Sequence, residues 1–351
     1  MHDHSCYILP PHILDKMSRD PKLRGTAIST QFGTQALRVQ RSILGAAGPT
    51  ALPAGTLRRT VYDCHQGHKL PGKLVLGEGG AVPNDAAVKE AYESAGSTYS
   101  FYREIMQRNS VDDRGMRLDS SVHYREDPQE PFDNAFWNGE QMVYGDGDGI
   151  VFTRFTKSLD VIAHELTHGV TQFEAALDYH NQPGALNESM SDVFGSMVKQ
   201  WARGESVEQA DWLIGKELFL GNGALRSMKA PGTAYDDPRI GKDPQPDKMS
   251  AYANLPDTRN GDWGGVHVNS GIPNRAFYLS CVNLGAARSW DKGGRIWYRA
   301  LTSRLRHDSN FVDAAHATIS AASELFGATE ADAVTKAWQE VEVLPVPVGV
   351  S

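Results

Sequence analysis

His164-Glu165-Leu166-Thr167-His168 lies inside an apolar run that begins Leu159-Asp-Val-Ile-Ala, and no other stretch constrains the chain as tightly. Histidines four apart on a helix project from one face, one turn above the other. Two imidazoles in such a position can hold one divalent cation between them. Glu165, beside the first histidine, is placed to act as general base on a water in the same site. In a chain of this length the five-residue pattern arises by chance about a few per cent of the time. Alone it suggests a metal without settling one.

Leu186-Asn-Glu-Ser-Met-Ser-Asp192 supplies the next constraint. It reads as the opening of a second helix, and Glu188 there would complete a two-histidine, one-carboxylate set. That set leaves a fourth position open, which is the catalytic form of zinc coordination. Asp192, one turn further on the same face, is suited to accept a hydrogen bond from a ligating imidazole and fix its tautomer. Met190, Val193, Phe194 and Met197 make this helix apolar, so a merely solvated face is the weaker reading for Glu188 and Asp192.

The rest of the chain narrows the class. Its 351 residues, 40% of them hydrophobic, can bury a large core and suggest two domains. With 35 basic against 43 acidic residues the net charge is −8, and no basic run stands out, so neither nucleic acid nor a membrane surface is expected as a partner. No apolar stretch approaches the roughly 20 residues that span a bilayer. The start, Met1-His-Asp-His-Ser-Cys6, lacks the basic and apolar regions of a secretory signal peptide. On that reading the chain is cytoplasmic as synthesised, with any secretion by another route. Cys6, Cys64 and Cys281 are odd in number and far apart, so no disulfide framework is implied, and Cys64 and Cys281 read as small buried residues.

Residues 1–55 read as a separate small unit. Pro10-Pro11 predicts an extended segment, and Phe32, Ala36, Val39 and Ile43 recur at helical spacing and predict one short amphipathic helix. The small-residue stretch Gly45-Ala-Ala-Gly-Pro to Leu52-Pro-Ala-Gly reads as a cleavable linker. One amphipathic helix cannot form a core, so the unit must lean on the larger remainder of the chain. Strands are expected at Arg59-Thr-Val-Tyr-Asp, Gly72-Lys-Leu-Val-Leu-Gly, Ser120-Ser-Val-His-Tyr and Gln141-Met-Val-Tyr. A helix is expected along the stripe Val88, Ala91, Tyr92, Ala95, Tyr99, Tyr102 and Met106, and helices dominate from about residue 158 to 340. The class is α+β, with a β-rich lobe over 56–175 ending in the His164–His168 helix and a helical lobe over 176–351.

These motifs resemble the thermolysin family of neutral metallopeptidases. The likeness is carried by His164-Glu-Leu-Thr-His-Gly-Val-Thr-Gln, Gly184-Ala-Leu-Asn-Glu-Ser-Met-Ser-Asp-Val-Phe-Gly, Asn134-Ala-Phe-Trp-Asn and Gly145-Asp-Gly-Asp-Gly, with Leu225-Arg-Ser-Met and Gly264-Gly-Val-His-Val-Asn-Ser-Gly-Ile further on. The blocks stand in family order over roughly residues 60–340. The leader, Cys6-Tyr-Ile-Leu-Pro-Pro-His-Ile-Leu, is similar to the protealysin-like branch, whose precursors carry a short propeptide.

The resemblance implies a two-lobed thermolysin-like fold with one catalytic Zn²⁺ in the cleft, bound by His164, His168 and Glu188. It implies Glu165 as general base, Tyr179 and His267 as donors to the developing oxyanion, and Asp262 as the group that orients His267. Arg226 matches the arginine that binds a substrate carbonyl on the leaving-group side. Asn134 and the backbone of Ala135 match the edge that holds peptide substrate extended. Phe152, Phe155, Val161 and Leu225 align with the pocket after the scissile bond, so cleavage is expected on the N-terminal side of large hydrophobic residues. Phe155 is bulky for that pocket and would narrow it. Thermolysin's double calcium site is expected to be absent, because Lys199 and Lys216 stand where carboxylates are required and an ammonium cannot ligate a hard cation. Asp160 of that site remains. The 1–55 leader, as propeptide, is expected to block the cleft through Pro10, Pro11 and their apolar neighbours, with Cys6 thiolate at the open zinc position as the sharper version. A zinc-stabilised binding protein without catalysis is the rival class, and an exopeptidase a third reading. Retention of Glu165, Tyr179 and His267 argues against the first, and the absence of a motif for a free amino terminus against the second.

Overall fold

The structure, a computed structural model, describes residues 7–44 and 56–346. The N-terminal part carries a five-stranded sheet built from β1 (Arg59–Gly67), β2 (Lys73–Gly77), β3 (Leu118–Tyr124), β4 (Ala135–Trp137) and β5 (Met142–Tyr144). Its order is β2-β1-β3-β5-β4, with β1/β3 and β3/β5 parallel and the two outer pairs antiparallel. The four anticipated strands are present. The short strand β4 forms one edge of the sheet, so its outer backbone row pairs with groups outside the sheet.

Across the sheet lies helix α3 (Ala86–Ile105), capped by Asp85, whose side chain accepts from the Ala87 and Val88 amides. Its buried face holds Val88, Ala91, Tyr92, Ala95, Tyr99 and Tyr102, the stripe read from the sequence. Each large apolar side chain buried this way contributes roughly 1.5–3 kcal/mol. Tyr102 extends the contact, its hydroxyl pairing at 2.7 Å with Thr167 Oγ1 on the next helix.

That next helix, α4 (Leu159–Phe173), carries the histidine pair and packs along α5 (Asn181–Arg203). Gly195 makes the approach possible. A Cβ there would lie 2.5 Å from the Asp160 carbonyl oxygen and 3.3 Å from His164 Cβ. Beyond α5 come α6 (Asp262–Asn269), α7 (Gly271–Asn283), α8 (Gly293–Ser303), α9 (Phe311–Leu325) and α10 (Ala328–Glu340), with two-residue β ladders and short 3-10 turns between α5 and α6. A β-rich first lobe and a helical second lobe are therefore observed.

The leader departs from its sequence reading. Pro10 is extended, but Pro11 opens α1 (Pro11–Met17), where its missing N–H costs no hydrogen bond. The helix placed near Phe32 is α2 (Arg24–Leu44), 21 residues long. Its outer face carries Phe32, 65% exposed, while Ala27 and Thr30 face inward. Phe32 of the expected stripe therefore does not pack against the catalytic unit, while the side chains of Ala36, Val39 and Ile43 lie outside the described residues.

Strand β3 also carries an ionic cluster. His123 Nδ1 meets Asp146 at 2.8 Å and Nε2 meets Asp85 at 3.1 Å. The Asp146 hydrogen bond, helped by Asp85, raises its pKa to about 9 against the effect of burial. A histidine raised from 6.5 stabilises the fold fully below about pH 6.5, and that contribution fades as pH climbs through about 9. Thermal melts between pH 6 and 9.5 should show this decline in the parent and a flatter profile in His123→Gln. Equal slopes would refute the assignment.

Candidate active site

Helices α4 and α5 bring His164, His168 and Glu188 together, all fully buried or nearly so, with one potential ligand atom from each lying within 4.8 Å of the others. The histidine tautomers follow from their outer partners. His164 Nδ1 donates to Asp192 Oδ1 at 2.8 Å, and His168 Nδ1 donates to Asn187 Oδ1 at 2.8 Å. With both Nδ1 atoms donating, both Nε2 atoms turn lone pairs inward, and they face each other at 3.0 Å. Glu188 Oε2 has no hydrogen-bond partner among the described residues, though it lies 3.5 Å from His164 Nε2. Glu188 Oε1 lies 3.3 Å from His168 Nε2.

Two opposed lone pairs beside an unsatisfied carboxylate oxygen are destabilising on their own. A tetrahedral zinc with ligand bonds of about 2.1 Å spaces its donors roughly 3.4 Å apart. The donor set fits such an ion. Burial lowers the His164 pKa to about 4, with Asp192 acting in the other direction, so the imidazole is neutral as a ligand must be. Burial works against ionised Glu188, yet His267 and the ligand histidines hold its pKa well below the usual range.

Asp192 does more than orient His164. It receives two hydrogen bonds from Arg226, at 2.7 and 2.8 Å, and one from Asn274 Nδ2 at 2.8 Å. Burial opposes its charge, but Arg226 and His164 bring its pKa down to about 2. Glu165 stands beside the metal set, and its Oε2 accepts from the Trp137 amide of β4 at 3.0 Å. The base is thereby tied to the edge strand.

Opposite stand Tyr179 and His267. The Tyr179 hydroxyl donates to Glu188 and lies 3.2 Å from His267 Nε2. Asp262, Trp263, Gly264 and Gly265 all have positive φ, a tight coil that glycine tolerates at low cost. The coil turns Asp262 back onto His267, accepting from Nδ1 at 2.6 Å and from its amide at 2.8 Å. Burial would lower the His267 pKa, but Asp262 and Glu188 raise it to about 9, so its Nε2 can donate.

What His267 Nε2 meets is the leader: the Tyr7 carbonyl, at 2.8 Å. The Ile8 amide donates to Ala135 O at 3.2 Å, and the Leu9 amide to Asn134 Oδ1 at 3.2 Å. Arg226 Nη1 donates to Ile8 O at 3.3 Å. Asn134, Ala135, Arg226 and His267 thus converge on one extended segment. Phe152, Phe155, Val161 and Leu225 are buried in the same continuous apolar cluster as Ile8 and Leu9. Pro10 and Pro11 make none of these polar contacts and lead the chain into α1. Cys6 lies outside the described residues.

Sequence reasoning centred the cleft contact on Pro10 and Pro11, whereas their apolar neighbours Ile8 and Leu9, with Tyr7, make it, and it missed Asn187 and Asn274 as partners of His168 and Asp192. Asn187 sits within the quoted Glu188 motif and carried a signal; Asn274 carried none. Lys199, read from the sequence as standing in for a calcium-binding carboxylate, donates through Nζ to Asp160 Oδ2 at 2.8 Å, Asp211 Oδ1 at 3.1 Å and the Leu213 carbonyl at 2.5 Å. Lys216 Nζ lies 3.7 Å from Asp211.

Comparison with known proteins agrees with this geometry. Residues 54–172 match the family described as thermolysin metallopeptidase, catalytic domain, and residues 175–343 match its alpha-helical domain. An extracellular metalloprotease of Pectobacterium carotovorum subsp. carotovorum is 50% identical over 96% of both chains. Protease PrtS of Photorhabdus sp. (strain Az29) is 42% identical over 96% of this chain and 91% of its own. The solved precursor of protealysin, a metalloproteinase from Serratia proteamaculans, superposes with a TM-score of 0.86 at 45% identity, covering 97% of this chain and all of that one. The fold is thermolysin-like. The cytoplasmic expectation is overturned, since the 50% identical relative is named extracellular. Absence of a recognisable signal peptide was too weak a basis for a location.

Proposed function

Because the chain belongs to the thermolysin metallopeptidase family, we propose that this metalloendopeptidase is zinc-dependent, cuts before large hydrophobic residues outside the cell, and is held as a zymogen by residues 1–55. The observation that carries the reading is the convergence of two histidine lone pairs and Glu188 beside Glu165, facing Tyr179 and His267. Zinc, when bound there, supplies Lewis-acid polarisation and a water that ionises near neutral pH.

The chain's own groups do the rest. Glu165 takes the proton of the attacking water and returns it to the leaving amine. His267 and Tyr179 donate to the carbonyl oxygen as charge builds on it, and Asp262 keeps His267 aimed. Arg226 and Asn134 with Ala135 hold the leaving-group side extended along the edge of the sheet. Asp192 fixes both His164 and Arg226, which couples ligand geometry to substrate binding. Phe152, Phe155, Val161 and Leu225 supply the apolar environment that favours a large side chain after the scissile bond.

The zymogen reading is supported by Tyr7, Ile8 and Leu9, which use the groups a substrate needs. In the Lys199 cluster an internal ammonium replaces divalent calcium. The test is cleavage of a blocked peptide with Leu or Phe after the scissile bond, before and after the linker near residues 45–55 is cut, with and without a chelator. Chelator-sensitive cleavage that appears on processing is expected. A zinc-loaded, folded, processed protein that cuts nothing would favour the binding-protein class.

A further inference from the structure

Resting on that reading of the site, we infer that the peptide bond between Tyr7 and Ile8 is a self-cleavage site, hydrolysed within the same molecule once the metal is present. The register comes from four hydrogen bonds. A carbonyl poised for attack is the one held by the donor beside the metal set, and His267 Nε2 holds that of Tyr7 at 2.8 Å. The residue after it should give its amide to the sheet edge and its carbonyl to the arginine. Ile8 does both, to Ala135 O at 3.2 Å and from Arg226 Nη1 at 3.3 Å. Leu9 then gives its amide to Asn134 Oδ1. The segment therefore runs in the direction of a substrate, with no reversal and no residue skipped. Tyr7 and Ile8 are 3% and 0% exposed, and the Tyr7 ring lies 5.2 Å from the His267 ring, so the bond is fixed on both sides. Holding reactants at such a spacing is itself a large part of a catalysed reaction.

Hydrolysis consumes one water. Its oxygen bonds to the Tyr7 carbonyl carbon, the carbon–nitrogen bond to Ile8 breaks, and both of the water's protons end on the Ile8 nitrogen, the first by way of Glu165, leaving an ammonium. Tyr7 leaves as a carboxylate at the end of the 1–7 peptide. Residues from Ile8 onward stay in place, because contacts away from the cut bond hold them. Thr30 Oγ1 accepts from the Asp133 amide at 2.9 Å, Asn134 Nδ2 donates to Thr34 Oγ1 at 3.2 Å, and Arg259 Nη2 donates to the Gln31 carbonyl at 3.3 Å. His12 Nε2 pairs with the Tyr235 hydroxyl at 2.8 Å. The nicked chain thus keeps its leaving-group side occupied, and loss of residues 1–7 precedes activity rather than producing it.

The test uses the full chain, prepared metal-free and then loaded with zinc, followed by intact mass and N-terminal sequencing. Expected is conversion to a species beginning at Ile8, with a half-life that does not change over a hundredfold dilution, while Glu165→Gln stays whole. Ile8→Pro, which lacks the amide given to Ala135, should slow the cut at least tenfold, whereas Ile8→Val should still be cut. Before loading, the Ile8 and Leu9 amides should resist hydrogen exchange; rapid exchange would show the segment unseated and overturn the inference. A chain that stays intact between Tyr7 and Ile8, while linker-processed enzyme cuts blocked peptide, overturns the inference and leaves the peptidase reading standing. An intact chain whose processed form also cuts nothing overturns both.

Discussion

Glu165→Gln binds its metal and loses turnover by about 10²–10⁴-fold, equivalent to about 3–5 kcal/mol of transition-state stabilisation. Metal is retained because Glu165 stands outside the set of His164, His168 and Glu188 that converges on one point. Shape is retained because glutamine is isosteric, and its amide oxygen can still accept from the Trp137 amide, now 3.0 Å from Glu165 Oε2. Only the basic lone pair disappears. The check pairs zinc content per chain with kcat/KM on a blocked peptide, using linker-processed protein. Full activity would remove Glu165 from the chemistry. Activity lost together with zinc would make it a structural residue instead.

Much of this site was legible because α4 and α5 each carry their chemistry at helical spacing. His164 and His168 share a face by period alone, as do Glu188 and Asp192, and burial followed from the apolar residues between them. His267 was different. Its partner Asp262 is five residues away on a coil of left-handed residues, a geometry that no period encodes, and only the family blocks pointed to it. The leader was the least legible. Pro10-Pro11 reads as extended from the sequence, yet Pro11 opens a helix, and what seats the segment before it is backbone pairing of Ile8 and Leu9 with β4 and the residue preceding it; backbone pairing is nearly silent about side chains. The same holds for the start of α2, where Ala27 and Thr30 are buried and the larger Phe32 is exposed.

The Lys199 cluster leads to a stability effect of similar size. Lys199 is 1% exposed and Asp160 fully buried, so their pairing is an internal one. Burial would lower the lysine pKa, but Asp160 and Asp211 raise it above its ordinary value, and the ammonium stays charged. Ser158 Oγ donates to Asp160 Oδ1 at 2.5 Å and lies 3.2 Å from Glu217 Oε2, which extends the acidic shell. Lys199→Met removes the cation and leaves Asp160 buried without it, beside the half-buried Asp211 and Glu217, at a cost of about 3–5 kcal/mol. For a chain this large that corresponds to a fall in Tm of roughly 4–7 °C. The same substitution opens an oxygen-rich cavity, so millimolar calcium should restore part of the lost Tm in the variant and leave the parent unchanged. Lys199→Met combined with Asp160→Asn should recover stability without calcium, because it removes the stranded charge along with its partner. A parent whose melting point rises with calcium would mean that the ammonium has not replaced the metal.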